Sequence, residues 1–416
     1  MLSMTRFLVV LPLLLLAACR PSGDAPEAEG AGLDLPAGRY PSVAADTVSG
    51  AVYAAWIETA GVGARVRLGR LADGALEGEP ITLAEGAIGV HSQAAPLVAV
   101  GPEGTVYVVW VVEREVEGRR FAASDLVLAR STDGGRTFSE PRPVHPDPGF
   151  PTGHTFHSLA VGFDGTVYVA WLDGTAKDRY RLDHPRAPMG HGEEPDPHHA
   201  HAEADEPGTE VVVARSADGG QTFEPPVVVA HDACPCCRTS LDVAPDGAVG
   251  LAWRHHYDGD LRDMTFARST DGGRTFSAPV RIHEDGWALD GCPHAGPAVT
   301  TAGDGTIHVV WFTGAPDSTG VRHAVSADGG RSFETGFLQR DTPLAQVRAI
   351  RDGAGRPWLA WEDPEAGVIR IARADGEARP LERSGADPSL TPTRDGWMLA
   401  TAEADRLRLH HLTNTE

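Results

Sequence analysis

The sequence predicts an all-β chain, a β-propeller of four-stranded antiparallel blades, with seven blades favoured and six as the alternative. Three observations predict it. A glycine stands six residues before a tryptophan at Gly50/Trp56, Gly104/Trp110, Gly165/Trp171, Gly247/Trp253, Gly305/Trp311 and Gly355/Trp361, and a seventh copy at Gly396 has Ala402 in the tryptophan position. The residues between are mostly apolar, as in Val167-Tyr168-Val169-Ala170, which reads as a buried strand entered through a tight turn, often Asp-Gly. The third observation is a second repeated turn, Ser131-Thr132-Asp133-Gly134-Gly135-Arg136-Thr137-Phe138, which returns at 216–223, 269–276 and 326–333. A recurring unit of about fifty residues has room for four short strands and their turns.

Within each unit the order is the same. An inner strand such as Leu97 to Val100 comes first, then the Gly…Trp strand, then a third strand ending in Ala-Arg-Ser, then an outer strand such as Glu140 to Val144. Blades begin near residues 41, 93, 155, 237, 294, 345 and 386. The last unit holds three candidate strands, Ser389 to Thr393, Trp397 to Thr401 and Leu407 to Leu412, and then runs out of chain. Leu33 to Arg39 is expected to supply its fourth strand and close the ring, which pairs edges otherwise left open. The alternative is a six-bladed ring followed by a C-terminal hairpin.

The turn joining strands three and four resembles the Asp-box, Ser-x-Asp-x-Gly-x-Thr-aromatic (BNR repeat), of the sialidase superfamily, and the resemblance runs over nearly all of residues 33–416. It implies a propeller fold. In that family the motif lies at the periphery, so Asp133, Asp218, Asp271 and Asp328 read as turn-makers: a carboxylate accepts turn N–H groups and the glycines take positive φ. True sialidases have six blades.

The first eighteen residues read as an export signal, with Arg6 ahead of the apolar stretch Phe7 to Leu16. Leu16-Ala17-Ala18-Cys19 resembles the lipobox of bacterial lipoproteins, which implies lipidation at Cys19 and anchoring to a membrane; Arg20 in the next position favours the outer membrane, facing the periplasm or the cell surface. Residues 19–32 read as a flexible tether. A net charge of −22 argues against nucleic acid and anionic lipid as partners and is compatible with cations. A monomer is expected, and the sequence names no protein partner.

Counting back from each glycine aligns the entrances of the inner strands. Thirteen residues back stand His91, Thr152, Cys234 and Cys292, and eleven back stand Gln93, His154, Cys236 and His294. Cys234-Pro235-Cys236-Cys237 and Cys292-Pro293-His294 therefore share a register in adjacent blades and should meet at the rim of the channel. Thiolate with imidazole suits copper(I) or zinc(II). Four cysteines in an oxidising compartment equally suit disulfides, Cys234–Cys292 or Cys237–Cys292, in a propeller that serves protein interaction alone. The loop after Trp171, an insertion over 173–208, carries His184, His191, His198, His199 and His201 among acidic residues; it is expected to be mobile and to add metal ligands on the same face.

A glycosidase of exo-sialidase type is the competing expectation. Members of that family clamp a sugar carboxylate with three arginines and use a tyrosine nucleophile and an aspartate acid/base. Arg238, Arg254 and Arg348 are the candidate clamp, with Tyr257 as nucleophile and Asp258 or Asp263 beside it. The family's Arg-Ile-Pro motif is absent, and Arg39-Tyr40-Pro41 stands in its place only loosely. Ligand binding at a Cys/His rim, copper first and zinc second, is the reading preferred from the sequence.

Overall fold

The computed structural model describes residues 32–59, 61, 63–119, 121–185, 206–374, 381–403 and 406–413. They form seven antiparallel sheets, six of four strands and one of five, each a consecutive stretch of chain except the last. The inner strands are Arg39–Ala45, Leu97–Val100, His154–Val161, Ser240–Val243, Ala298–Thr301, Val347–Arg351 and Ala386–Pro392. Blade 1 carries the extra strand, Ala75–Leu76, between its third and outer strands. Seven blades, not six, close the ring.

Closure follows the sequence expectation with a sharper boundary. Leu33–Leu35 pairs antiparallel with Arg406–Thr413 as the fourth strand of blade 7. Arg39 already belongs to the inner strand of blade 1, because Pro36 to Gly38 form the passage between the two sheets.

The repeated tryptophans fill the seams between blades. Trp110 packs with Tyr53, Ile57 and Val66 of blade 1, Trp171 with Tyr107 and Val109 of blade 2, and Trp253 with Tyr168 and Ala170 of blade 3. Trp311, Trp361 and Trp56 repeat the arrangement at later seams, and all six are at most 2 % exposed. Burying an indole this completely stabilises each seam by about 2–3 kcal/mol. Blade 7 lacks the tryptophan at 402. There Trp397 supplies the indole, with its ring 4.3 Å from that of Trp358.

Each Ser-x-Asp turn is held by its own carboxylate. Asp133 Oδ1 accepts from Arg136 N at 3.0 Å and Thr137 N at 2.9 Å, and Oδ2 accepts from the Thr137 hydroxyl at 2.6 Å. Asp218, Asp271 and Asp328 make the same bonds. The second glycine of each turn lies against an aromatic ring of the preceding blade: Gly135 on Tyr53, Gly220 on Tyr107, Gly273 on Tyr168 and Gly330 on Phe266.

The insertion after blade 3's second strand begins as a helix, Thr175–Asp183, rather than as loop. Asp173 Oδ1 accepts from Thr175 N at 2.8 Å and so ties its first turn to the strand end. His198, His199 and His201 lie outside the described residues, as does the export segment with Cys19. Among the described residues no helix is long and apolar enough to cross a membrane.

Candidate metal centre

The loop from Ala233 to Thr239 runs into the inner strand of blade 4. Its path is set by backbone bonds: Cys234 N donates to Arg254 O at 2.9 Å, and Thr239 N donates to Phe156 O in blade 3 at 2.9 Å. This folds Cys234, Cys236 and Cys237 into one buried cluster, at 0, 4 and 1 % exposure, with Phe156 packed over it. Cys234 Sγ stands 3.7 Å from Cys236 Sγ and 3.9 Å from Cys237 Sγ. None of Cys234, Cys236, Cys237 and Cys292 is in a disulfide, so the expected inter-blade bridges are not formed.

Blade 5 completes the arrangement. Ligand atoms of Cys236, Cys292 and His294 also lie within 4.8 Å of one another. His294 is held at φ 49°, and its Nδ1 is buried without a hydrogen-bond partner. The His91 ring approaches it, centroids 4.8 Å apart, and His91 Nδ1 accepts from Gln93 N at 3.1 Å, which leaves Nε2 as the outward nitrogen. The counted register thus brings together Cys234, Cys236, Cys237, Cys292, His294 and His91.

His154 goes elsewhere. The inner strand of blade 3 has a register shift between Thr155 and Ser158, with Phe156 at φ 56°. The extra residue puts Phe156 at the hub, against the cysteines and 5.4 Å from the His91 ring. His154 instead stacks on His145, ring centroids 3.7 Å apart, and its Nε2 lies 3.6 Å from carboxylate oxygens of Asp147 and Asp173. Asp125 joins this second cluster. Its other members carry no repeat signature, so sequence spacing had no means of finding them.

Charge at the cysteines is uneven. Burial opposes ionisation of Cys237, yet hydrogen bonds with Cys234 and Cys236 and the charge of Arg254 hold its thiol well below the usual cysteine range. Hydrogen bonding with Cys234, Cys237 and Cys292, and then burial, pushes Cys236 up. Cys234 is also raised: its bond with Cys236 works downward, but its bond to Cys237 and its burial outweigh that. A soft cation binding at the cluster would draw off its thiol protons. A tetrahedral ion with metal–sulfur bonds of about 2.3 Å sets its sulfurs about 3.8 Å apart, and a trigonal one about 4.0 Å apart. The observed spacings fit both.

The arginines expected to clamp a carboxylate are differently employed. Arg254, 1 % exposed, donates to three carbonyls: Nη1 to Arg262 O at 2.6 Å, and Nη2 to Ala295 O at 2.9 Å and to Phe312 O at 2.7 Å. Arg238 and Arg348 do converge, both donating to Val347 O, at 2.6 and 2.8 Å. Tyr257 OH bonds Thr265 Oγ1 at 2.7 Å, its ring lies under Arg281, and Asp258 beside it is exposed. Asp263 is buried and paired with Arg281.

The hub also holds groups that sequence reasoning passed over. Glu362 accepts from Gln346 N at 2.9 Å and from Asp387 N at 2.6 Å. Burial, and then the charge of Glu362, push the Asp387 carboxyl up to about 6, against the pull of Arg348 and Arg238. Gln93 was visible at the same register as Cys236 and His294; Glu362 and Asp387 had no motif to mark them.

No family model matches this chain, and no curated protein matches it. Solved structures show its fold. It is similar to a Hadza microbial sialidase, Hz136, at 15% identity and TM-score 0.53 over 85% of this chain and 74% of that one. It is similar to the polysaccharide lyase Uly1 at 11% identity and TM-score 0.56 over 88% of each chain. A protein of unknown function from Dyadobacter fermentans aligns at 18% identity and TM-score 0.50 over 77% of this chain and 94% of that one. These likenesses show the fold alone, a β-propeller.

Proposed function

We propose that this chain is an exported, lipid-anchored propeller that binds a soft transition-metal ion, copper(I) first and zinc(II) second, at the thiol cluster of its hub. The anchor is Cys19, and the outer membrane is its favoured location. The carrying observation is the sulfur spacing, 3.7 and 3.9 Å around Cys234, which matches the edges of a metal–thiolate shell. The buried, unpartnered Nδ1 of His294 supports it. The test is elemental analysis of anaerobically purified full-length protein beside Cys236→Ser and His294→Ala. Copper or zinc held by the wild type and lost from Cys236→Ser supports the reading; metal content indifferent to both substitutions refutes it.

A second reading is an exo-acting glycosidase of sialidase type. A fold neighbour supports it, since a sialidase shares this architecture at TM-score 0.53. Asp387, with its raised carboxyl beside Glu362 and facing Arg348 and Arg238, is then a candidate acid/base. Release of a fluorophore from a sialoside, abolished by Tyr257→Phe, is the expected result on this reading.

A further inference from the structure

We infer that the centre is binuclear, with the sulfur of Cys236 bridging two ions, an inference that rests on the metal-binding reading above. The ligand atoms fall into two triplets that share only this residue: Cys234, Cys236 and Cys237 on the inside, and Cys236, Cys292 and His294 on the outside. The inner triplet is all sulfur and buried. Three thiolates saturate a trigonal copper(I) ion, and it needs nothing from the outer set. A thiolate keeps lone pairs after binding one metal, so Cys236 can serve a second ion together with Cys292 and His294.

The balance is simple. Two copper(I) ions bind four thiolates, every thiol proton still present leaves to solvent, and His294 binds as the neutral imidazole. Two cations and four thiolates leave a net charge of −2. The guanidinium of Arg254 acts on Cys237 and that of Arg262 on Cys234, so two fixed positive charges face that excess. Burial also separates the two positions. The inner ion is enclosed by Phe156 and the blade 4 loop, whereas Cys292 is exposed. The outer ion is the exchangeable one, and His91 stands beside it, 4.8 Å ring to ring from His294.

The experiment is anaerobic loading of the full-length apoprotein with chelator-buffered copper(I), then copper per chain by elemental analysis and X-ray absorption. The wild type is expected to hold two ions and to show a copper–copper scattering shell. Cys292→Ser, a change at an exposed position, is expected to hold one ion and lose that shell, while Cys236→Ser loses both ions. One ion in the wild type, retained or lost in Cys292→Ser, overturns the binuclear assignment and leaves metal binding standing. No copper in any variant overturns both. Circular dichroism that matches the wild type establishes that each variant is folded.

Discussion

Gln93 of blade 2 and Gln346 of blade 6 meet side chain to side chain across the hub, Nε2 to Oε1 at 2.6 Å. Both oxygens also accept from Nη1 of Arg238 in blade 4, at 3.2 and 2.9 Å. Three non-adjacent blades are thereby tied at the axis, in addition to the seams that tie neighbours. Arg238→Met keeps most of the side-chain volume and removes these donors along with the bond to Val347 O. Each of these acceptors keeps another donor, so the cost is that of the lost bonds themselves, about 0.5–1.5 kcal/mol each, and a loss of about 2–4 kcal/mol in urea unfolding is expected. A midpoint unchanged within error shows that the seams alone carry the ring.

Titration of the interior makes stability depend on pH in two opposed ways. Burial lowers His157 to about 4, and burial followed by the charge of His308 lowers His323 to about 4. Unfolded histidines bind protons near 6.5, so the unfolded state holds more protons between 6.5 and 4, and stability falls as pH falls through that window. Asp387 acts in the other direction. Raised to about 6 from 3.8, it keeps its proton longer when folded, and its contribution is lost as pH rises through 6. The two effects oppose each other between about 4 and 6. Asp387→Asn should therefore steepen the acid loss in a series of melting temperatures, and His323→Gln should flatten it. Parallel curves for all three proteins contradict the assignment.

The turns between third and outer strands dock on the preceding blade, and Gly330 tests how tightly. It sits at φ 86°, and a Cβ there would lie 2.2 Å from Cε1 of Phe266. A non-glycine residue in the left-handed region costs about 1–2 kcal/mol before any clash. Gly330→Ala is expected to lower stability by more than that figure, and Gly336→Ala, with open space around its Cβ, by less than half as much. Equal losses in thermal unfolding indicate that contact with Phe266 contributes nothing.

Blade count and closure were legible because each seam needs one large ring, and the chain spells those rings at fixed spacing. Even the exceptions follow that need. Ala402 replaces a tryptophan, and Trp397 on the same strand fills the seam. Gly250 stands where other blades carry Tyr53, Tyr107 or Tyr168, and Phe266 from the adjacent strand lies over it. The Cys/His rim was legible for the same reason: register counted from a repeated glycine converts sequence distance into angular position. The count failed at His154, where a bulge adds a residue that no propensity announces. It was blind to Glu362 and Asp387, because hub polarity arises from groups in different blades that share no local pattern. The arginine clamp misled because a buried guanidinium and a ligand-binding one are the same letter; only the three carbonyls around Arg254 distinguish them.

The remaining joint is the one that closes the circle. Leu33 and Leu35 pair with Leu409 and Leu407, and Leu35 is 4 % exposed among Val43, Trp56 and Met398. The short strand thus completes blade 7 and contributes to the seam with blade 1. Leu35→Ala removes buried methyl groups and leaves a cavity, for an expected loss of about 2–4 kcal/mol. Deleting residues 1–36 goes further, since it strips the outer partner from Leu407 to Leu409 and leaves their outward backbone groups unpaired on an open edge. That variant should unfold less cooperatively and self-associate in light scattering at concentrations where the full chain stays monodisperse. Full stability in both variants requires the ring to be held by its tryptophan seams without the paired edge, and closure by residues 33–35 then becomes dispensable.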